Sequence, residues 1–197
     1  MTESMGHLTT ERENDKSVGL DEMSPLEIVT LMNEEDQNVA NAVKEALPAI
    51  AGAVEAVVAS FKAGGRLIYV GAGTSGRLGI LDASELPPTF SLDPGMAIAL
   101  MAGGRDAVFR AKEGAEDDTE AGKRDLREIC LKAQDVVVGI SASGRTPYVI
   151  GALDYAKRIG AKTIALSCNR PSRLSSIADL AIEVVTGPEV LTGSTRL

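Results

Sequence analysis

Short apolar runs alternate with longer stretches of helical spacing along this chain, and breaks rich in glycine or proline divide them. Leu67 to Val70 is the first run. It gives way to Gly71-Ala72-Gly73-Thr74-Ser75-Gly76, after which apolar positions recur at helical spacing through Leu78, Leu81 and Ala83. The pattern predicts a strand, a tight turn and a helix. Further apolar runs predict strands at 96–101, 135–141, 162–167 and 180–185. Between them, 105–132 reads as mostly helical with an interruption near Gly114, 148–159 as a helix and 172–178 as a short one. Leu86-Pro87-Pro88 is expected to stop the helix that follows the first strand.

Upstream of the first strand, Ser24-Pro25 opens a helix, with Ser at the N-cap, Pro at the first helical position and Glu27 at the third. Leu26, Val29 and Met32 are spaced for one buried face. Helical spacing continues from Glu35 to Phe61, with Pro48 expected to separate two helices and Gly64-Gly65 to end the second. Residues 1–23 are polar and are expected to be extended or mobile. Strand and helix therefore alternate, which predicts an α/β domain with right-handed crossovers. The expected architecture is a flavodoxin-like five-stranded parallel sheet over 65–197, its first and third strands adjacent, preceded by helices over 24–64 and a leader over 1–23. Ligands bind such sheets at the switch point, outside the carboxyl ends of the strands.

Composition agrees with that sheet. Apolar residues make up 44% of 197 residues, with three Phe, three Tyr and no Trp. The core must be Val, Ile, Leu and Ala, which suits a parallel sheet covered on both faces. A net charge of −8 argues against nucleic-acid and anionic-membrane partners. No apolar run reaches the roughly 18 residues of a membrane span. The leader lacks the pattern of a secretory signal, and Cys130 and Cys168 have no metal-ligand or C-x-x-C spacing, so a cytoplasmic location with reduced thiols is expected.

Candidate chemistry starts at the glycine-rich turn. Its glycines let the backbone approach a ligand, and the helix N-terminus behind it offers free N–H groups to an anion such as a phosphate. The literal Gly71-x-Gly73-x-x-Gly76 also fits a dinucleotide fingerprint. That reading needs an acid closing the next strand, and Met96–Met101 runs into Ala102-Gly103-Gly104 instead. A nucleotide P-loop fails because no Gly-Lys-Ser/Thr follows. An echo of the turn stands after the third strand: Ser75-Gly76-Arg77 is matched by Ser143-Gly144-Arg145. If the two strands are neighbours, both turns face one switch point and can wrap a phosphate. The plainer reading is that each Ser caps its helix.

The only histidine is His7, so acid–base chemistry must come from carboxylates, Lys or Tyr. Glu85 closes Asp82-Ala83-Ser84-Glu85, and Glu113, Glu116, Asp117 and Asp118 cluster farther on. Crowded acids raise one another's pKa, which serves proton transfer. Acids at a helix start or on a solvated helix end account for the same residues without catalysis.

Gly71-Ala-Gly-Thr-Ser-Gly-Arg-Leu-Gly-Ile-Leu-Asp-Ala-Ser-Glu85-Leu-Pro-Pro resembles the central motif of the N-acetylmuramic acid 6-phosphate etherases, within the sugar isomerase (SIS) phosphosugar-binding superfamily. Glu113-Gly-Ala-Glu116-Asp, Ser141-Ala-Ser-Gly-Arg-Thr-Pro-Tyr-Val149 and Gly187-Pro-Glu-Val-Leu-Thr-Gly-Ser-Thr-Arg196 resemble the same family, and Thr10-Glu-Arg-Glu-Asn14 does so more loosely. The resemblance implies cleavage of the D-lactyl ether of N-acetylmuramic acid 6-phosphate to N-acetylglucosamine 6-phosphate and D-lactate, in homodimers, without metal or cofactor. It implies catalysis by Glu85 and Glu116. Substrate contacts are implied at Gly73, Thr74, Ser75, Gly76, Arg77, Ser141, Ser143, Gly144, Arg145, Thr146 and Glu189. It also implies a basic, helical portion beyond the Ser-Thr-Arg motif. Glucokinase regulatory proteins share this fold and bind a phosphosugar without catalysis; by the same resemblance they lack the Ala-Ser-Glu85 segment. An aldose–ketose phosphosugar isomerase is a third reading, weakened by the lack of a usable histidine.

Overall fold

The computed structural model describes residues 8–193; His7 and the end of the Gly187–Arg196 motif, from Ser194 on, lie outside them. Among the described residues, one α-helix, α1 (Pro25–Lys62), precedes the sheet. The alternation then runs β1 (Leu67–Gly71), α2 (Gly73–Phe90), β2 (Ala97–Met101), α3 (Thr119–Glu128), β3 (Val136–Ile140), α4 (Pro147–Ile159), β4 (Lys162–Ser167), α5 (Arg173–Ile177) and β5 (Leu180–Glu183). All strand pairs are parallel, in the order β2-β1-β3-β4-β5. The order reverses between β1 and β3, as the sequence predicts.

The two-residue period of the strands sorts the core into two layers. Ile68, Val70 and Val137 point to one face, under Leu126 of α3 and Tyr148, Val149 and Leu153 of α4. Leu67, Val136, Val138 and Ile164 point to the other, under Ala53, Val57 and Phe61 of α1 and Leu86 of α2. At the amino ends of β1 and β3, Asp135 accepts from the Arg66 backbone N–H at 2.9 Å, from Arg66 Nη2 at 2.7 Å and from the Lys132 N–H at 2.9 Å.

Three predicted boundaries change. Pro48 lies inside α1, which continues unbroken through this exposed position. Pro87 and Pro88 lie in the last turn of α2, which runs on to Phe90. The 105–132 stretch holds only short 3₁₀ turns, at Arg105–Val108 and Ala115–Asp117, before α3.

The predicted face of α1 is rotated as well. Ser24 and Glu27 form the expected capping box. Yet Leu26, Val29 and Met32 are exposed and Leu31 is the buried position. Among its described residues the leader is not simply extended: it forms three 3₁₀ turns, and Leu8, Thr10 and Asn14 are buried.

Candidate functional site

The loops after β1, β2 and β3 border a cleft of about 390 Å³ at the carboxyl end of the sheet. Gly73, Thr74 and Arg77 enter it from the first turn of α2, Thr146 from the β3–α4 loop, and Glu113 and Glu116 from the segment before α3. Gly71 and Gly76 make this turn possible. A Cβ on Gly76 would lie 2.8 Å from Met101 Cγ and 2.9 Å from the Gly71 carbonyl oxygen. Only glycine lets the helix start so close under the strand.

The two Ser-Gly-Arg turns are built differently. The first is absorbed into α2. Arg77 Nε donates to the Val108 carbonyl at 2.7 Å and Nη2 to the Ala107 carbonyl at 2.8 Å, which fixes the wall of the cleft. The second turn is an open loop of hydroxyls. Ser141 Oγ lies 2.8 Å from Thr146 Oγ1 and 3.4 Å from Ser143 Oγ, and the Gly144 and Arg145 N–H groups donate to Ser141 Oγ and Ser143 Oγ at 3.1 and 3.3 Å. Gly144 sits at φ 67°, with Ser172 filling the place of a Cβ. This arrangement can present a cluster of hydroxyls to an anion at the cleft.

The predicted site residues thus divide. Gly73, Thr74, Arg77, Thr146 and Glu116 share the cleft, and Ser141 and Ser143 join it through Thr146. Glu85 and Glu189 stand apart. Glu189 is buried beside Cys168: burial pushes the Cys168 thiol up, and the Glu189 carboxylate adds to the shift. Glu85 is exposed on α2, ten residues beyond Ser75, or roughly 15 Å along a straight helix. The helix is continuous over that length. Lys112, also in the cleft, was not singled out by the sequence; its only signal is a cation next to the acidic cluster. Among the described residues, no three His, Cys, Asp or Glu side chains converge as a metal site, and no helix is long and apolar enough to cross a membrane.

Comparison with known proteins gives the lineage. The model of the glucokinase regulatory protein N-terminal SIS domain matches residues 49–157, more than half of the chain, and that of the SIS domain matches 127–197. An N-acetylmuramic acid 6-phosphate etherase of Halalkalibacterium halodurans is 61% identical over 190 residues, 96% of this chain and 64% of its own length. The chain belongs to the SIS-domain family described by the glucokinase regulatory protein N-terminal SIS domain. It spans about 64% of the length of that curated relative. Among solved structures, a phosphoheptose isomerase from Francisella tularensis shares the fold with a TM-score of 0.63 at 21% identity, over 82% of this chain and 86% of its own. The Vibrio vulnificus NanR protein complexed with ManNAc-6P shares it with a TM-score of 0.54 at 16% identity, over 90% of this chain and 57% of its own.

In this SIS domain the cleft lies where the fold's topology calls for a ligand, between the loops of β1 and β3. One side of α2 carries Thr74 at the cleft and then Leu78, Leu81 and Glu85 away from it. Leu78 and Leu81 are exposed apolar side chains, 56% and 58% accessible. α1 carries a similar exposed stripe of Leu47, Val54 and Val58.

Proposed function

We propose that this SIS domain binds N-acetylmuramic acid 6-phosphate and, as part of an etherase, converts it to N-acetylglucosamine 6-phosphate and D-lactate in the cytoplasm. The observation that carries the reading is one cleft holding a helix N-terminus, a cluster of hydroxyls and Glu116. Its size falls within the roughly 300–1,000 Å³ usual for small-molecule sites. The phosphate sits among the N–H groups of residues 73–75 and the Ser141, Ser143 and Thr146 hydroxyls. The relatives named as etherases and the neighbour complexed with ManNAc-6P support the same ligand class.

The ring-opened aldehyde acidifies the C2 proton. Glu116 takes that proton, the C3–O bond breaks, and lactate leaves with a proton supplied by Glu85. Water then adds at C3 and regenerates a hydroxyl. One carboxyl cannot be base and acid at once, so two are needed.

Glu85 reaches the reaction from a second copy of the chain. Thr74, Leu78, Leu81 and Glu85 follow one another at helical i, i+4, i+7 and i+11 spacing on α2. Antiparallel packing of two such helices about a two-fold axis near Leu78 and Leu81 brings each Glu85 to the other copy's Thr74. The exposed stripes on α1 and α2 give that dimer an apolar face to bury.

The test is incubation with N-acetylmuramic acid 6-phosphate, following lactate release and exchange of the C2 hydrogen with deuterium. Glu116→Gln is expected to abolish both. Glu85→Gln is expected to abolish release while keeping exchange. Mixing the two variants is expected to restore lactate release at part of the parent rate. Lactate release at the parent rate by Glu85→Gln alone would remove the acid assignment. Binding of the phosphosugar without any release by the parent would favour a sensing role like that of the regulatory proteins.

A further inference from the structure

The leader runs across the loops that follow β4 and β5, and it is tied down at both ends of the Thr10–Asn14 motif. Asn14 Nδ2 donates to the Pro188 carbonyl and to Glu35, each at 3.3 Å. At the other end, Thr10 and Asn169 exchange two bonds. The Thr10 N–H donates to Asn169 Oδ1 at 3.4 Å, and Asn169 Nδ2 donates to Thr10 Oγ1 at 2.9 Å. Thr10 and Asn169 are only 3% and 2% exposed.

The second N–H of Asn169 goes to the site. Nδ2 donates to the Ala142 carbonyl at 3.2 Å, which also receives the Cys168 N–H at 2.9 Å. Ala142 is the residue between Ser141 and Ser143, so two donors from the β4–α5 loop hold the peptide that aims those hydroxyls. With the Thr10 hydroxyl in place, both N–H donors and the oxygen of the Asn169 carboxamide are engaged and its orientation is fixed. Without it, one buried N–H loses its acceptor, and the carboxamide gains a reason to turn away from Ala142.

We propose that Thr10 and Asn169 form a positioning relay that holds the Ser141–Thr146 loop in its anion-receiving shape, so that the leader sets the affinity of a cleft it does not line. The proposal rests on the phosphate reading of that loop. The experiment compares Thr10→Val, which keeps the shape and loses the acceptor, with Thr10→Ser, which keeps the acceptor. Two quantities are read: amide hydrogen exchange at Gly144, Arg145 and Cys168, and calorimetric binding of N-acetylglucosamine 6-phosphate.

Thr10→Val is expected to speed exchange at those amides about tenfold, to leave Val137 and Val138 protected, and to weaken binding about tenfold, one neutral hydrogen bond's worth. Thr10→Ser is expected to match the parent in both. Unchanged loop exchange in Thr10→Val overturns the relay. So does a uniform rise in exchange that includes β3, or a chain that fails to fold, since either makes Thr10 a structural residue only. Loss of loop protection in Thr10→Ser overturns it equally. Parent protein that binds no sugar phosphate, with the loop responding as expected, rejects the phosphate reading and leaves no affinity for the relay to set. Faster loop exchange at unchanged affinity overturns the relay alone.

Discussion

The two ends of the β1–β3 pair use charged and polar residues to opposite purposes. At the amino ends, the buried Asp135 carboxylate is surrounded by donors, and Arg66 meets it and the carbonyls of Ile129 and Cys130. Every group there is answered from within the chain. At the carboxyl ends, hydroxyls and N–H groups converge on an open cleft, and Glu113 and Glu116 form no ion pair among the described residues. One end closes the fold and the other leaves chemistry available. A strand pair therefore separates stability from function along its own length of five residues.

The sharpest way to break this separation is Asp135→Ala. It strands the Arg66 guanidinium and two N–H groups in a partly buried setting. Removing one partner of such a pair costs about 3–5 kcal/mol. Urea unfolding is expected to show that loss, while the dissociation constant for a sugar phosphate at low temperature stays at the parent value. A parallel loss of affinity in the folded variant would show that the two ends are coupled. The complementary change, Ser143→Ala, is expected to weaken sugar-phosphate binding about tenfold, or about 1.4 kcal/mol, with the unfolding midpoint unchanged. Calorimetry and urea titration on the same sample decide it.

The fold was legible because its signals are local. Runs such as Val136-Val-Val-Gly-Ile140 announce a buried strand, and the glycine turn after β1 announces where the ligand end lies. Helix continuity was less legible. Pro48 and Pro87 are breakers by local rule, but one stands at an exposed position and the other in a last turn, where the helix accommodates them. The rotation of α1 was hidden because Leu26, Val29 and Met32 carry a true helical period without saying what they face. Arg77 reads as an anion ligand beside a phosphate turn, yet its partners are carbonyls some thirty residues away. The partner of Thr10 was invisible for the same reason, since Asn169 is 159 positions distant. The separation of Glu85 from Ser75, roughly 15 Å along a straight helix, follows from helix rise alone.

The smallest expected effect separates the two ends by pH. Burial pushes the Asp135 carboxyl upward, but the Arg66 guanidinium and the surrounding N–H groups hold it below the usual carboxylate range. A carboxyl depressed in the folded state stabilises fully above its unfolded pKa, about 3.9, and the contribution is lost as pH falls through the folded value. Asp179 is depressed too, against the pull of burial, through its bonds to Thr163. Neither group alters stability between pH 8 and pH 6. The cleft behaves differently, because a phosphate monoester has a second pKa of about 6. At pH 6 about half of the ligand is the monoanion, which gives the helix N-terminus and the hydroxyl loop less charge to hold. Binding of N-acetylglucosamine 6-phosphate is therefore expected to weaken about twofold from pH 8 to pH 6, at a constant unfolding midpoint. Below about pH 4 the midpoint is expected to fall as Asp135 takes up its proton. A midpoint that already drops between pH 8 and pH 6 would mean that a group at the cleft end also carries stability, and the division between the two ends would not hold.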